Sequence, residues 1–251
     1  GALQNRLNST VTNIKVKRCV ALHTSFCYTG TMFVIHIIML FIFILTLACV
    51  FHKSFVEMLP VGISSLVLLL YVLSFGRHLG WIDGIAPLLL CGGVLYFFTR
   101  KREQRKELLR QCIEILKDPS TIAGLILLLL VVIGVSGKVV SWWDDYNFWA
   151  TDVKSIFYRN GFADKYANAA PEFGDYPPGT QMMKWRFLHF SPGQFREGLL
   201  FAGYYVFNLS FLLPLLHYIR KKTPLSMTLG AILLWIFPTM TEGFRCDAGR
   251  A

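Results

Sequence analysis

Two adjacent carboxylates, Asp144 and Asp145, stand among Trp142, Trp143, Tyr146 and Trp149, just beyond a long apolar segment. Carboxylates in such a setting can take a proton from an acceptor hydroxyl, or hold a divalent cation such as Mg or Mn against a phosphate. A plainer reading competes. Acids are favoured in the first turn of any helix, and Trp and Tyr are ordinary at a membrane–water boundary. A second landmark follows at Gly174-Asp175-Tyr176-Pro177-Pro178-Gly179-Thr180-Gln181, where tandem prolines fix φ and Gly179 permits a sharp turn, so Tyr176 lies on a rigid kink. Beyond it, Met182, Met183, Trp185, Phe187, Leu188 and Phe190 set an apolar, helical course, with Lys184, Arg186 and His189 between them. Lys184 and Arg186 either meet a lipid phosphate or snorkel their charges to water along apolar stems.

Elements must hold these residues. Trp149, Val153, Ile156 and Phe157 recur at helical spacing, which predicts an amphipathic surface helix within Trp142 to Tyr158, with Asn160-Gly161 as its C-cap. Neighbouring helical positions differ by about 100°. Asp145 therefore shares a face with Trp149 and Asp152, and Asp144 reaches the same cleft only if it precedes the first turn.

The rest of the chain is apolar. It is 54% hydrophobic and 16% charged over 251 residues, with a mean hydropathy of +0.49. Those proportions exclude a disordered segment, a collagenous fibre and a small disulfide scaffold, and they point to an all-α polytopic membrane protein. Six runs have the length of a spanning helix: Met32 to Phe51, Phe55 to Phe75, Trp81 to Thr99, Ser120 to Val140, Gly198 to Ile219 and Leu225 to Met240. The expected organisation is a basic segment over 1–31, four spans over 32–140, one large external loop over 141–197, and two spans with the start of a further loop over 198–251.

The net charge of +10 marks cytoplasmic loops rather than a nucleic-acid surface. Seven basic residues lie between Arg100 and Asp118, and Arg220, Lys221 and Lys222 fall on the same side two spans later. Both clusters send the loop 141–197 to the outside. Arg6, Lys15, Lys17 and Arg18 argue for an inside N-terminus, which parity over three spans does not give. A hidden or re-entrant helix near Cys19 to Gly30 resolves the conflict. The six cysteines form no CxxC pair and carry no metal or redox signature.

The combination Trp143-Asp144-Asp145-Tyr146-x-x-Trp149, then Tyr176-Pro177-Pro178-Gly179, then Glu242-Gly243-Phe244 resembles bacterial membrane glycosyltransferases of the C-type superfamily, GT-C, over roughly Lys138 to Phe244. In those relatives the first motif reads W-D-E-F-S-H-W. Asp144 then takes the aspartate position and Asp145 the glutamate, while Asn147 replaces the serine and Phe148 the histidine, leaving any role of that histidine vacant. The resemblance implies a multi-span enzyme in a bacterial plasma membrane. It implies transfer of a sugar from a polyprenyl-phosphate carrier to a glycan, lipid or protein acceptor on the outer face. It also implies an acid of the external loop as catalytic or metal-binding group. Asp144 and Asp145 are the catalytic candidates, and either is the ligand if a divalent metal is used. Trp143, Trp149, Tyr176, Lys184 and Arg186 are the substrate-binding candidates, and Arg196 is a further cation for the phosphate. Such enzymes commonly carry eight or more spans, so the resemblance also implies that the chain, which starts at Gly1, is a fragment.

Two other classes stay open. A transporter or flippase carries ionisable groups at membrane depth, and here His36 alone lies well inside a predicted span, with Asp83 and Lys138 near span ends. A non-catalytic scaffold that binds a partner through the loop is the third.

Overall fold

The computed structural model describes residues 34–141, 149–162, 179–191, 194–219, 225–226 and 228–232. Among these the chain is helical, without strands. Its elements are α1 (Val34–Phe51), α2 (Phe55–Phe75), a 3-10 turn (Leu79–Trp81), α3 (Ile82–Thr99), α4 (Arg102–Lys117), α5 (Pro119–Gly134), α6 (Ala150–Arg159), α7 (Gly179–Leu188), α8 (Glu197–Leu212) and α9 (Pro214–Ile219).

Among the described residues four helical stretches are long and apolar enough to cross a membrane: α1, α2, the 3-10 turn with α3, and α8 with α9. A fifth is added if α4 and α5 count as one bent span. The sixth expected run lies mostly outside the described residues, as does the segment before Val34 in which a hidden helix was expected.

The basic stretch expected to be a loop is largely a helix. In α4, Lys106 pairs with Glu103 at 3.4 Å, and Arg110 pairs with Glu107 at 2.8 Å and Glu114 at 3.5 Å. Such i,i+3 and i,i+4 spacing supports an exposed helix. Pro119 ends it, because the residue before a proline is driven out of the helical region. Asp118 is accordingly extended, and Pro119 opens α5 at a bend of 63°. Sixteen residues of α5 rise only about 24 Å, short of a roughly 30 Å hydrocarbon core.

Contacts sort the helix termini into two ends. At one, the Sγ atoms of Cys49, late in α1, and Cys112 on α4 lie 3.5 Å apart, and Glu57, held in the Ser54 capping box that starts α2, faces His217 of α9. At the other, the connection from α2 to α3 receives α6. Asn160 adopts φ 59° as the C-cap of α6, as the spacing predicted. Its backbone carbonyl accepts from Leu79 N–H at 3.2 Å, its Oδ1 accepts from Gly80 N–H at 2.8 Å, and its Nδ2 donates to the Arg77 carbonyl at 3.2 Å. Gly161 is required there, since a Cβ would lie 2.6 Å from both Arg77 Cα and the Ser74 carbonyl oxygen. Phe162 closes the joint edge-on to Tyr71 and Phe75.

The expected external loop is pinned at its neck, where Glu197 Oε2 accepts from Val140 N–H at 2.6 Å. Within it α6 buries Ala150, Val153 and Ile156 against α7 rather than lying free on a surface. α7 is buried nearly all round, between α2, α6 and α8.

Candidate functional site

The site is built from α7 outward. Its sequence follows Pro177-Pro178 and is rich in residues that favour helix, Met, Lys, Arg and Leu. The backbone of α8 approaches so closely that a Cβ at Gly203 would lie 2.8 Å from Lys184 Cα and 2.9 Å from Lys184 N. With α2 and α6 also packed on α7, Lys184 and Arg186 are both sealed within the protein, each 4% exposed. Snorkelling of the two charges to water is thereby overturned: neighbouring helices cover the path that a lone surface helix would leave open.

Two positions along a helix turn by about 200°, so the two cations serve different faces. Lys184 Nζ lies 5.5 Å from the ring centre of Trp149 and 5.1 Å from that of Tyr204, distances at which a ring face attracts a cation. Asp152 shares this face. Burial raises its carboxyl above the ordinary range, and the charge of Lys184 opposes that rise. Two of the expected substrate-binding residues, Trp149 and Lys184, are therefore brought together, with Asp152 and Tyr204 added to them.

Arg186 belongs to a second cluster. Its guanidinium carbon lies 4.6 Å over the ring of Phe190. Burial lowers its pKa to about 10, with the charge of Asp83 acting the other way, so it stays protonated at neutral pH. Its Nη1 is buried with no hydrogen-bond partner among the described residues. Leaving such a donor unmatched is costly, and a buried cation in this condition is a ready partner for an anionic oxygen.

Asp83, in the first turn of α3, lies between two imidazoles. Nε2 of His36 is 2.9 Å from Asp83 Oδ1, and Nε2 of His189 is 2.9 Å from both Oδ1 and Oδ2. An ionised carboxylate only accepts, so each Nε2 carries the hydrogen. The His189 ring stacks on Trp185, with centroids 4.6 Å apart and planes 25° apart. His36 is packed and hydrogen-bonded, the plain reading of a histidine inside a span. Its partners stand 47 positions along the chain, for Asp83, and on α7's trailing turn, for His189, a relation that no local pattern reveals. Among the described residues no group of His, Cys, Asp or Glu is arranged to hold a metal ion.

Asp144, Asp145 and Trp143 of the first motif, Tyr176 with its proline kink, and Glu242-Gly243-Phe244 all lie outside the described residues. Arg196 is outside both clusters and reaches toward the Gln194 side chain. No family model matches the chain, nor does any curated protein or solved structure.

Proposed function

We propose that the protein is a membrane glycosyltransferase that moves a sugar from a polyprenyl-phosphate carrier to a glycan, lipid or protein acceptor at the outer face of a bacterial plasma membrane. The observation that carries this reading is the pair of buried cations on α7, above all Arg186 with its unmatched Nη1. Transfer from a phosphate-linked donor breaks a bond between the anomeric carbon and a phosphate oxygen. Charge develops on that oxygen, and fixed donors in a water-poor site stabilise it far more than water does. Arg186 and Lys184 are the residues for this task, and the rings of Trp149 and Tyr204 beside Lys184 offer flat faces for a sugar or an isoprenoid. Asp144 and Asp145 supply the acceptor's base or the ligand of a divalent cation, Mg or Mn. The resemblance of the flanking motifs to GT-C enzymes supports the same assignment.

The test is turnover. Membranes containing the chain, given a panel of polyprenyl-phosphate hexoses and pentoses, should release polyprenyl phosphate, and Asp144→Asn with Asp145→Asn should abolish the release while insertion is kept. Full turnover by that double variant would remove the acids from the chemistry. Orientation has its own test. A cysteine at Gln104 should resist an impermeant thiol reagent in intact cells and one at Asn168 should react, once the native cysteines are replaced. The reverse pattern contradicts an outward-facing site.

One observation favours a second reading, a proton-coupled lipid or solute transporter: the His36–Asp83–His189 cluster joins two apolar helices to α7, and ionisable groups so situated mark transport pathways. Substrate uptake into vesicles driven by a proton gradient, without release of polyprenyl phosphate, would decide for it.

A further inference from the structure

Of the two imidazoles on Asp83, only one has a second nitrogen that a substrate can meet. His36 buries its Nδ1 with no partner among the described residues and its side chain is 1% exposed, whereas the side chain of His189 is 23% exposed. Asp83 holds Nε2–H of His189, so in the neutral ring the lone pair is on Nδ1, directed away from the carboxylate. The stacking on Trp185 fixes the plane of the ring, and the hydrogen bond from His36 stops Asp83 from turning. A base needs such an arrangement: an imidazole of one tautomer, oriented by a carboxylate that also stabilises the imidazolium formed on protonation.

The helix adds a second coincidence. His189 N–H donates to the Trp185 carbonyl at 2.8 Å, so helical geometry runs on past Leu188. Arg186 and His189 are three positions apart and lie on one face, with Cβ atoms about 5–6 Å apart. A cation for the departing phosphate and a base for the incoming hydroxyl thus stand on one side of the helix.

We propose that His189 Nδ1 is the general base of the transfer reaction, with Asp83 and His36 as its positioning residues. This rests on the glycosyltransferase reading and deepens it. The acceptor O–H proton passes to Nδ1 as the acceptor oxygen bonds to the anomeric carbon. The bond from that carbon to the phosphate oxygen breaks, its electron pair leaves with polyprenyl phosphate, and Arg186 meets the oxygen that departs. The imidazolium returns its proton to water.

The experiment measures release of polyprenyl phosphate from the same donor panel, across pH, in membranes containing the wild type, His189→Gln, His189→Ala and Asp83→Asn. The charged and titratable groups around the ring are Asp83, His36 and Arg186, and none is altered in the two His189 variants. His189→Gln keeps a donor for Asp83 but has no base, so its rate should fall about 10²- to 10⁴-fold and lose the limb of the pH profile that the base sets. Free imidazole should restore part of the His189→Ala rate, which it would not do for a merely structural residue. Asp83→Asn should retain donor binding and shift that limb. Nitrogen-15 NMR of the wild type should find the His189 hydrogen on Nε2. If the wild type turns over and His189→Gln keeps its rate within about threefold, a loss far below the range for a base, this proposal fails and the transferase reading stands. If the wild type releases no polyprenyl phosphate, the transferase reading fails and takes this one with it. A hydrogen found on Nδ1 overturns the base assignment whatever the rates.

Discussion

Helices α4 and α7 carry the same kinds of charge in opposite circumstances. On α4 the basic side chains are exposed, and two of them pair with glutamates of their own helix, an arrangement that adds little to stability because water and salt screen it. On α7 two cations are buried, and among the described residues Nη1 of Arg186 finds no hydrogen-bond partner. Burying an unmatched cation is unfavourable. Arg186 thus bears a desolvation cost that the exposed pairs of α4 escape.

Exchanging the buried charge for an apolar side chain separates the two regions most strongly. Arg186→Met should lower turnover about 10²- to 10³-fold, the loss typical when one donor to a developing anion is removed. The thermal midpoint should stay level or rise, because apolar replacement of a buried charge is often neutral or stabilising. Unfolding scans and rate measurements on one preparation check both halves. If Arg186 were structural, the midpoint would fall with the rate.

Next in size is the seal. Gly203→Ala puts a methyl group against the backbone of α7 at Met183 and Lys184, an overpacking of about 1–3 kcal/mol. Denaturation in detergent should show the loss, and amide exchange should rise over 179–191 before it rises in α2. On α4 the contrasting result is expected: Glu107→Gln, which breaks the pair with Arg110, should leave the midpoint unchanged within error and insensitive to salt.

The smallest effect concerns Asp152. Its folded pKa lies above its unfolded one because burial disfavours the carboxylate, so its contribution to stability is full below the unfolded value and is lost as pH rises through the folded one. Asp152→Asn should remove that acid-side slope from the midpoint-versus-pH curve and leave the curve near neutral pH flat. A steeper slope in the variant would mean that Lys184, not burial, governs the acid.

How far the sequence foretold this arrangement depends on the range of the interaction. The apolar runs, the cap at Asn160 and the helix after the proline kink are set by neighbours within a turn or two, and composition and spacing reveal them. The helix of α4 was hidden because its signal lies in i,i+3 and i,i+4 ion pairs, which read as a basic loop when charges are merely counted. Burial of Lys184 and Arg186 was hidden for another reason: it depends on α2, α6 and α8 closing on α7 from distant parts of the chain, and only packing discloses which faces are covered. His36, Asp83 and His189 were each visible as single residues. Their union depends on three helices meeting at one end, and nothing in the local pattern of any of them encodes it.

The claim that α7 holds the phosphate of the donor is tested most directly by ligand-induced stabilisation. Polyprenyl phosphate titrated into the detergent-solubilised protein should raise the thermal midpoint of the wild type, through a stabilisation of about 2.7 kcal/mol at a hundred times its Kd. It should leave that of Arg186→Met unmoved, although the variant is as well folded. Equal shifts in the two proteins would contradict the account.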